Sequence, residues 1–452
     1  MGFVKAIPPL FDHQGITVDY EMEHDRVYDA SDPGTGKTRS ALAMILQRQK
    51  AGAGKALVFA PKSILVPSWA NDLRTFTPSL KYVVATASNR KKQFAQDVDV
   101  YITNTDAAKW VSLNVDLKDF DILIMDECTA YKHRTSARAK AMAKIAKHFK
   151  YRVGMSGTPN PNGVLDLWHQ YFLLDDGEIL GTNFWAFRSK VCEPVQTGPG
   201  SEMVKWVDRP GAAEAVADLL AGMTIRHKME KCISIPPHTV RTINFDLSAK
   251  HLKEYKDLAK HAIIQLKDKT VSAVHKGALR TKLLQLASGA VYDAEGNPAV
   301  ASTDRYELVL DLAEERESCV IAFNWTHQRN ELLRLAKKRK IKFALIDGTV
   351  KGPDRTKAVK DFQAGKIKIL FAHPMSAAHG LTLTKGTTTI WPGPIDDAER
   401  FQQFNRRIYR AGQERKTETI MVAANDTLDA GVFANLDGKV EGMVDLLDIL
   451  EI

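Results

Sequence analysis

Two short groups of residues carry side chains suited to phosphate chemistry, and the first is the glycine-rich run at 32–38 (DPGTGKT). Its glycines let backbone N–H groups surround a phosphate, and the helix-like sequence that follows adds the positive end of its dipole. The strict pattern of Gly, four residues and Gly-Lys-Ser/Thr is not met, because Ala30 or Ser31 stands where the first glycine belongs. The core of the pattern is intact and predicts a nucleotide-binding loop. The predicted binding residues are Gly34, Thr35, Gly36, Lys37 and Thr38, with Lys37 on the β- and γ-phosphates and Thr38 on Mg²⁺.

The second group is the acidic pair Asp126-Glu127, which directly follows the apolar run at 120–125 (FDILIM). Ligands of open α/β sheets bind at the carboxyl ends of the strands, where this pair would lie. Asp126 could hold the Mg²⁺ shell, and Glu127 could orient and deprotonate an attacking water. Two acids that end a strand are common in isolation. Downstream of a phosphate loop, at the usual separation of the two motifs, the pair predicts a nucleoside triphosphatase.

The elements that must position these residues alternate between short apolar strands and amphipathic helices, in two separate regions, which is typical of doubly wound α/β domains. The strands predicted in the first region are Ala56–Ala60, Val98–Thr103, Ile122–Met125 and Arg152–Met155. Those in the second region are Cys319–Phe323, Phe343–Ile346, Ile367–Ala372, Thr388–Trp391 and Glu418–Val422. Runs such as ILIM lack polar alternation, which favours parallel strands covered on both faces.

Between these regions the pattern becomes helical. Leu252, Tyr255 and Leu258 share one face of a predicted helix for which Ser248 is a suitable N-cap. The stretch at 197–200 (TGPG) predicts a surface loop. The predicted domains are therefore a first lobe at 1–165, a helical insertion at 166–300 and a second lobe at 301–452.

Composition limits the class of protein. Apolar residues make up 44% of the chain and charged residues 26%, and no run approaches the ~20 apolar residues of a membrane span. Four scattered cysteines and unclustered histidines argue against a zinc site or a disulfide framework and predict a reducing compartment. No targeting signal is recognisable at the N-terminus, so we expect a cytoplasmic protein that stays in the compartment where it is made. The net charge of +9 is compatible with a polyanionic partner.

Tryptophans are the residues most suited to stacking on bases, and Trp110, Trp185 and Trp325 are candidates. For most tryptophans, packing in the core is the better interpretation, and Trp391 is expected to be buried at a strand end.

With these motifs in order, the chain resembles superfamily-two helicases, and specifically the Swi/Snf-type DNA translocases, over nearly its whole length. In the first region the resemblance rests on Asp12-His13-Gln14, Ala60-Pro61-Lys62-Ser63-Ile64-Leu65 with Trp69, Asp126-Glu127-Cys128-Thr129 and Ser156-Gly157-Thr158-Pro159. In the second it rests on Leu345-Ile346-Asp347-Gly348-Thr349, Ser376-Ala377-Ala378-His379-Gly380-Leu381 and the signature formed by Gln403, Arg407, Arg410 and Gly412-Gln413.

The resemblance implies an α/β fold of two tandem RecA-like (P-loop NTPase) domains with a helical insertion between them, and it implies ATP and Mg²⁺ as cofactors. Lys37, Glu127, Arg407 and Arg410 would be catalytic, the two arginines as fingers supplied by the second lobe. Gln14 would read adenine, and Gly380 would contribute to nucleotide binding. Ser156, Thr158, Gln403 and Gln413 would couple hydrolysis to movement, and Lys62, Ser63, Thr103 and Ser376 would contact the DNA backbone.

The chain departs from the family pattern at three places, of which Thr129 concerns the coupling of hydrolysis to movement. Pro33-Gly34-Thr35 replaces Met-Gly-Leu, Thr129 replaces the histidine after the acidic pair, and Ala377-Ala378 replaces two glycines. The chain is also compact and most like the small motors of phages and bacteria.

The predicted function is an ATP-dependent DNA translocase or helicase acting on duplex or branched DNA without sequence choice, with fork or junction remodelling (branch migration) as a finer expectation. The alternatives are an RNA helicase, an ATP-gated DNA-binding scaffold without turnover, and the motor subunit of a restriction or repair assembly. Replication or recombination proteins would be further partners, the chain would be a monomer, and no membrane is implied.

Overall fold

The computed structural model describes residues 7–196, 204–267, 273–292, 297–377 and 381–449. The chain forms two compact units. The first unit comprises Met1–Val195, Lys205–Ser234 and Glu441–Ile452, and the second unit comprises Gln196–Val204 and Ile235–Val440. The boundaries expected at 165/166 and 300/301 stay a prediction.

The first unit is built on a seven-stranded sheet in which every described ladder is parallel. In sheet order its strands are Tyr82–Ala85, Val100–Asn104, Lys55–Ala60, Phe120–Asp126, Tyr151–Met155, Arg26–Asp29 and Thr224–Ile225. All four strands predicted for the first region are present, close to their predicted bounds. Because the strands are parallel, the residues that follow Arg26–Asp29, Phe120–Asp126 and Tyr151–Met155 meet at one edge of the sheet.

Helices cover both faces of this sheet, and each face buries its own apolar cluster. The longer helices are Asp12–Glu23, Lys37–Lys50, Ala108–Asn114, Ala137–Ala146, Leu165–Asp175, Phe184–Val191 and Ala212–Leu220. Shorter helical turns are Lys62–Ile64, Leu65–Ala70, Asn71–Phe76, Arg90–Phe94, Thr105–Ala107, Cys128–Tyr131, Ala221–Met223 and Met229–Cys232. A separate two-stranded sheet pairs Cys192–Gln196 with Val204–Asp208.

The second unit is built on a six-stranded sheet whose described ladders are also all parallel. Its strands, in sheet order, are His238–Phe245, Thr417–Ala424, Thr388–Trp391, Cys319–Ala322, Ile369–Ala372 and Phe343–Ile346. A small antiparallel pair joins Ala290–Tyr292 to Pro298–Val300. The helices are Ala249–Lys267, Ala273–Ala287, Asp304–Glu314, Thr326–Lys338, Gly352–Gln363, Pro374–Ala377 and Ala398–Asn405, followed by Asp429–Ile449, which belongs to this unit as far as Val440. All five strands predicted for the second region are present.

The region predicted as a helical insertion contains helices and also one strand of each large sheet. Thr224–Ile225 pairs with Arg26–Asp29 in the first sheet, whereas His238–Phe245 pairs with Thr417–Ala424 in the second. Within this region Ser248 caps its helix as predicted, because its hydroxyl accepts a hydrogen bond from the His251 amide at 3.4 Å. The TGPG stretch lies outside the described residues.

The fold also bears on two expectations from the sequence, the burial of Trp391 and the state of the four cysteines. Trp391 is fully buried at a strand end, and all four cysteines are unbridged thiols. Within the described ranges, no helix combines the length and apolarity needed to cross a bilayer.

Candidate nucleotide-binding site

The glycine-rich run forms a loop that ends at the start of the helix Lys37–Lys50. Gly34 and Gly36 adopt left-handed backbone conformations, with φ of 98° and 87°, which glycine enters without steric penalty. The Lys37 ammonium turns back and donates to the carbonyl of Ser31 at 2.5 Å and to that of Asp32 at 3.2 Å. The Lys37 side chain therefore bonds back to the start of the loop, and its ammonium lies near the N–H groups at the start of the helix.

The helix Asp12–Glu23 supports this loop from outside. The Gln14 side chain is buried, and its Nε2 donates to the Thr35 carbonyl at 3.2 Å, while its Oε1 accepts from the Phe11 amide at 3.1 Å. His13 Nε2 lies 2.8 Å from the same carbonyl, which can only accept, so this nitrogen carries the proton. The Gln14 amide retains one donor hydrogen and one acceptor lone pair beyond these contacts. Gln14 thus supports the loop, and its amide still offers a donor and an acceptor with which it could bind a base.

Asp126 ends the strand Phe120–Asp126 and is buried beside the loop. The Trp69 indole donates to its Oδ2 at 2.7 Å, and the hydroxyls of Thr38 and Ser68 lie 3.3 Å apart. Burial, and secondarily the charge of Glu127, raises the pKa of the Asp126 carboxyl to about 7, against the opposing effects of Trp69 and Lys37. A nearby cation stabilises the charged form of a buried carboxyl group, so Asp126 fits a Mg²⁺ site.

Glu127 has a left-handed backbone conformation, with φ of 54°, which costs a non-glycine residue on the order of 1 kcal/mol. Its Oε2 accepts a hydrogen bond from the Ser156 hydroxyl at 3.4 Å. Ser156 is buried, and its oxygen also accepts from the Thr158 amide at 3.1 Å. The structure therefore brings the predicted coupling residues to the predicted general base.

Thr158 contributes a further polar group at this point. Its hydroxyl oxygen is buried and has no hydrogen-bond partner in the described structure. A buried hydroxyl without a partner is costly, and such groups concentrate at functional sites.

Pro33, one of the departures from the family pattern, packs directly on the coupling motif. A Cβ added to Gly157 would lie 2.5 Å from Pro33 Cδ. The loop and the Ser156–Pro159 segment thus touch through a proline ring on one side and a bare glycine backbone on the other. The sequence did not reveal this contact.

Sequence reasoning also missed a second contact of the nucleotide loop. The segment at 225–229 forms hydrogen bonds with residues 30–32 of this loop, mostly through the backbone of the segment. Amides of Ala30 and Asp32 donate to the carbonyls of Ile225 and His227 at 2.8 and 3.0 Å. In return, the amides of His227 and Met229 donate to the side chains of Ser31 and Asp32 at 3.0 and 3.2 Å. The buried guanidinium of Arg226 lies 3.7 Å from Asp32. The strand involved has two residues, too short for a period-2 pattern to predict.

Of the signature residues of the second unit, Gln403 lies in the helix Ala398–Asn405 and the others follow it. Arg407 donates through Nε to the Gln403 carbonyl at 2.8 Å, and the Nη1 atoms of Arg407 and Arg410 approach the Leu381 carbonyl at 3.4 and 3.0 Å. The Gln413 amide donates to the carbonyls of Gly386 and Ile408, each at 3.0 Å. The two arginines are thus held together, with Gln413 fixing the turn behind them. Gly380 lies outside the described residues.

The residues predicted to contact DNA occupy different environments. Lys62 is exposed and Ser63 half-buried at the turn that follows the strand Lys55–Ala60, and Ser376 is half-buried with its carbonyl accepting from Arg355. Thr103 is fully buried, and its hydroxyl donates to the Ala85 carbonyl at 2.8 Å inside the sheet. This placement does not support the predicted contact between Thr103 and a phosphate.

The residues at the loop fit ATP with Mg²⁺. They offer the positive start of a helix, one lysine, the Thr38 hydroxyl and the Asp126 carboxyl. The described residues contain no group of three or more His, Cys, Asp or Glu side chains that could hold a metal. A site with few protein ligands suits Mg²⁺, which keeps several waters and binds through one or two carboxylates together with phosphate oxygens.

Comparison with known families gives two matches along the chain. Residues 29–289 match the SNF2-related domain, and residues 304–412 match the helicase conserved C-terminal domain. Together with the two parallel sheets, these matches confirm the predicted fold class of two tandem RecA-like domains.

Individual relatives are similar over most of this chain. Protein p41 of Acyrthosiphon pisum secondary endosymbiont phage 1 is 27% identical over 94% of this chain and 95% of its own length. The DNA annealing helicase and endonuclease ZRANB3 of Mus musculus is 23% identical over 97% of this chain, which spans only 40% of that protein. The Sulfolobus solfataricus SWI2/SNF2 ATPase core, solved in complex with dsDNA, is 20% identical, with coverage of 99% of this chain and 95% of that one. The TM-score of this match is 0.47.

Proposed function

This chain belongs to the SNF2-related family, and on that premise we propose that it is an ATP-driven motor that moves along DNA. The observation that carries the proposal is the nucleotide loop of the first unit, which is in contact with the Ser156–Pro159 segment through Pro33 while Ser156 hydrogen-bonds Glu127. A site that only bound ATP would not need its general base joined to a second motif.

The hydrolytic chemistry is assigned to the first unit. The loop amides and Lys37 hold the phosphates, and Thr38 and Asp126 hold Mg²⁺, which neutralises charge on the phosphate oxygens when bound. Glu127 orients the attacking water and takes its proton. Gln14 reads adenine with the donor and acceptor that remain to its amide, a pairing that glutamine makes with the adenine edge.

Arg407 and Arg410 are assigned as arginine fingers that act on the nucleotide held by the first unit. Arginine fingers contribute about 10³–10⁵ in rate to related phosphoryl transfers. Hydrolysis would then require both units, and the change in their relation during each cycle would move the DNA. Ser156 and Thr158 would transmit the state of the γ-phosphate, and Gln403 and Gln413 would keep the arginines in place.

DNA is assigned as the track because of family membership and the charge balance of +9. Lys62, Ser63 and Ser376 are the proposed backbone contacts, and contacts of this type give affinity without sequence choice. Remodelling of forks or four-way junctions is the finer proposal. It is favoured by the similarity to ZRANB3, which is named as a DNA annealing helicase.

The test compares ATP hydrolysis by the full chain without nucleic acid, with duplex DNA and with duplex RNA. We expect weak activity alone and strong stimulation by duplex DNA, since an RNA helicase would respond to RNA instead. Glu127→Gln should reduce the stimulated rate to background. Glu214→Gln makes the same chemical change at an exposed position of the same unit and should leave the rate unchanged. Full DNA-stimulated turnover in the Glu127 variant would end the assignment.

Movement is tested separately by displacement of a third strand from a triplex DNA, which requires travel along the duplex but no separation of its strands. ATP-dependent displacement by the wild type is expected. Stimulated hydrolysis without any displacement would instead identify an ATP-gated DNA-binding protein. Strand exchange on a four-way junction, scored in the same preparation, tests the finer proposal.

A further inference from the structure

A stack of aromatic rings and guanidinium groups lies on the first unit, outside the nucleotide site. Arg134 lies over the rings of Phe184 and Trp185, at 4.8 Å from each ring centroid. Arg188 lies over Trp185 at 4.5 Å and over Trp206 at 3.7 Å. Rings and cations therefore alternate along one surface, which we call the Arg–Trp ladder, formed by Arg134, Phe184, Trp185, Arg188 and Trp206.

The ladder is built on firm supports. The Asn183 side chain accepts hydrogen bonds from the amides of Trp185 and Ala186, which begins the helix Phe184–Val191 at a defined residue. Phe184 packs edge-on against Trp168, whose indole donates to the Gly181 carbonyl at 3.0 Å. Trp185 and Arg188 are three residues apart on this helix and so share one face.

The outer part of the ladder is accessible. Trp185 is 54% exposed, although a tryptophan is usually buried to a large extent. In the part of the chain that the structure describes, neither Arg134 nor Arg188 has an ion-pair partner, and the Nε atom of Arg188 is buried without a hydrogen bond. Two guanidinium groups are thus kept beside aromatic faces with no carboxylate to neutralise them.

Positive charge also surrounds the ladder. Lys190 and Lys205 are exposed on the elements that carry Arg188 and Trp206. Of the described acidic groups here, Glu193, on the strand Cys192–Gln196, lies 3.8 Å from Arg209, and Asp208 accepts a hydrogen bond from the Val164 amide at 3.0 Å. Cations thus outnumber carboxylates among the described residues around the ladder, which favours an anionic ligand.

We propose that the Arg–Trp ladder binds unpaired nucleotides of DNA, with a base stacked on Trp185 and phosphates near Arg134, Arg188 and the flanking lysines. Bases stack on aromatic faces regardless of sequence, and cationic side chains beside them track the backbone. Tryptophan and arginine are also common at protein–protein interfaces, but lysine is depleted there, whereas lysines beside aromatic faces suit a phosphate backbone. The exposed lysines Lys190 and Lys205 therefore favour a nucleic acid over a protein partner. The site deepens the proposed function, because a motor on branched DNA would meet single-stranded segments that its duplex-binding surface does not hold.

The experiment measures binding of the full chain to a labelled oligothymidylate of about 20 nucleotides and to a blunt duplex of about the same length, by fluorescence anisotropy. Trp185→Ala should weaken binding to the oligothymidylate about tenfold, because one stacking partner is lost. Binding to the blunt duplex and duplex-stimulated ATP hydrolysis should be unchanged. Trp185→Phe should restore binding, since phenylalanine keeps an aromatic face.

Leu113→Ala is the matched control, because Leu113 is another exposed apolar residue of the first unit that lies outside the ladder. It should bind both DNAs like the wild type. Unchanged binding of the oligothymidylate by Trp185→Ala would overturn the proposal, as would its failure to bind the wild type. Equal losses on both DNAs would overturn it too, because Trp185 would then support the fold or a general DNA surface. A wild type without duplex-stimulated hydrolysis would contradict the proposed motor function instead, whatever the result at Trp185.

Discussion

At the scale of single residues, Glu21 has a buried acidic side chain, and neither of its oxygens has a hydrogen-bond partner among the residues that the structure describes. Burial, together with repulsion from Asp29, raises the pKa of its carboxyl well above the usual value, and Arg48 only partly opposes this. The folded chain therefore binds this proton more tightly than the unfolded chain. Its stabilising contribution is complete below the unfolded pKa and is lost as the pH rises towards the folded one.

Glu21→Gln should accordingly leave the folded chain about as stable as the wild type near about pH 5 and more stable, by on the order of 1–3 kcal/mol, near about pH 8. Thermal unfolding at both pH values measures the difference. Glu23→Gln, at an exposed position of the same helix, is the control and should show no such divergence. A Glu21 variant whose advantage did not grow with pH would contradict the prediction.

The residues predicted from the sequence at the nucleotide site were those whose chemistry is carried by local motifs. Lys37, Thr38 and Asp126 were recognisable because a phosphate loop and a strand-ending acid have a fixed spacing to their own elements. Arg226 and Trp69 contact the same site through sheet pairing and packing, so no local pattern indicated those contacts. Thr103 shows the opposite limit: it ends the predicted strand Val98–Thr103, but only the fold shows that its hydroxyl donates to the Ala85 carbonyl inside the sheet.

At the scale of elements, the helix Lys37–Lys50 depends on how the loop before it is built. Gly36 has a φ of 87°, and a Cβ added there would lie 2.2 Å from Gln14 Nε2. Gly52 has a similar φ of 95°, but a Cβ there would meet nothing within 4 Å. An alanine at Gly52 would therefore introduce backbone strain alone. An alanine at Gly36 would introduce similar strain and also a steric contact with the helix Asp12–Glu23.

Gly36→Ala should weaken ATP binding about tenfold, because the added Cβ must displace the Gln14 amide that is proposed to read adenine. Gly52→Ala should lower the free energy of unfolding by about 1–2 kcal/mol without changing ATP affinity. Binding of a fluorescent ATP analogue and denaturant unfolding measure the two effects. Equal ATP affinities in the two variants would show that the contact between Gly36 and Gln14 does not shape the site.

The elements themselves were predicted unevenly. All nine predicted strands are present, and most were recognisable because buried parallel strands such as Ile122–Met125 form uninterrupted apolar runs. The edge strand His238–Phe245 was missed because most of its residues are exposed and its sequence is polar. Arg26–Asp29 was missed because it is short and charged at both ends, although it leads directly into the nucleotide loop.

At the scale of the whole molecule, the proposed mechanism divides the work between the two units. Arg407→Lys keeps a positive charge but removes the planar fork that stabilises a transferring phosphoryl group. We expect this variant to bind ATP like the wild type. We expect its rate of ATP hydrolysis to be lower by about 10³-fold or more. Binding of an ATP analogue and steady-state hydrolysis with duplex DNA provide the two readouts. Arg400→Lys, at a partly exposed arginine of the preceding helix, should behave like the wild type. Near-normal hydrolysis by the Arg407 variant would mean that the first unit completes the reaction alone.

The hydrogen bonds between the segment at 225–229 and the nucleotide loop have a mechanical consequence. The same stretch of backbone continues through residues 230–237 into the strand His238–Phe245 of the second sheet. Pro236 and Pro237 stiffen this tether, since each fixes its own φ. Tension in this segment would therefore act on the hydrogen bonds that hold Ala30, Ser31 and Asp32, directly before the residues proposed to bind phosphate.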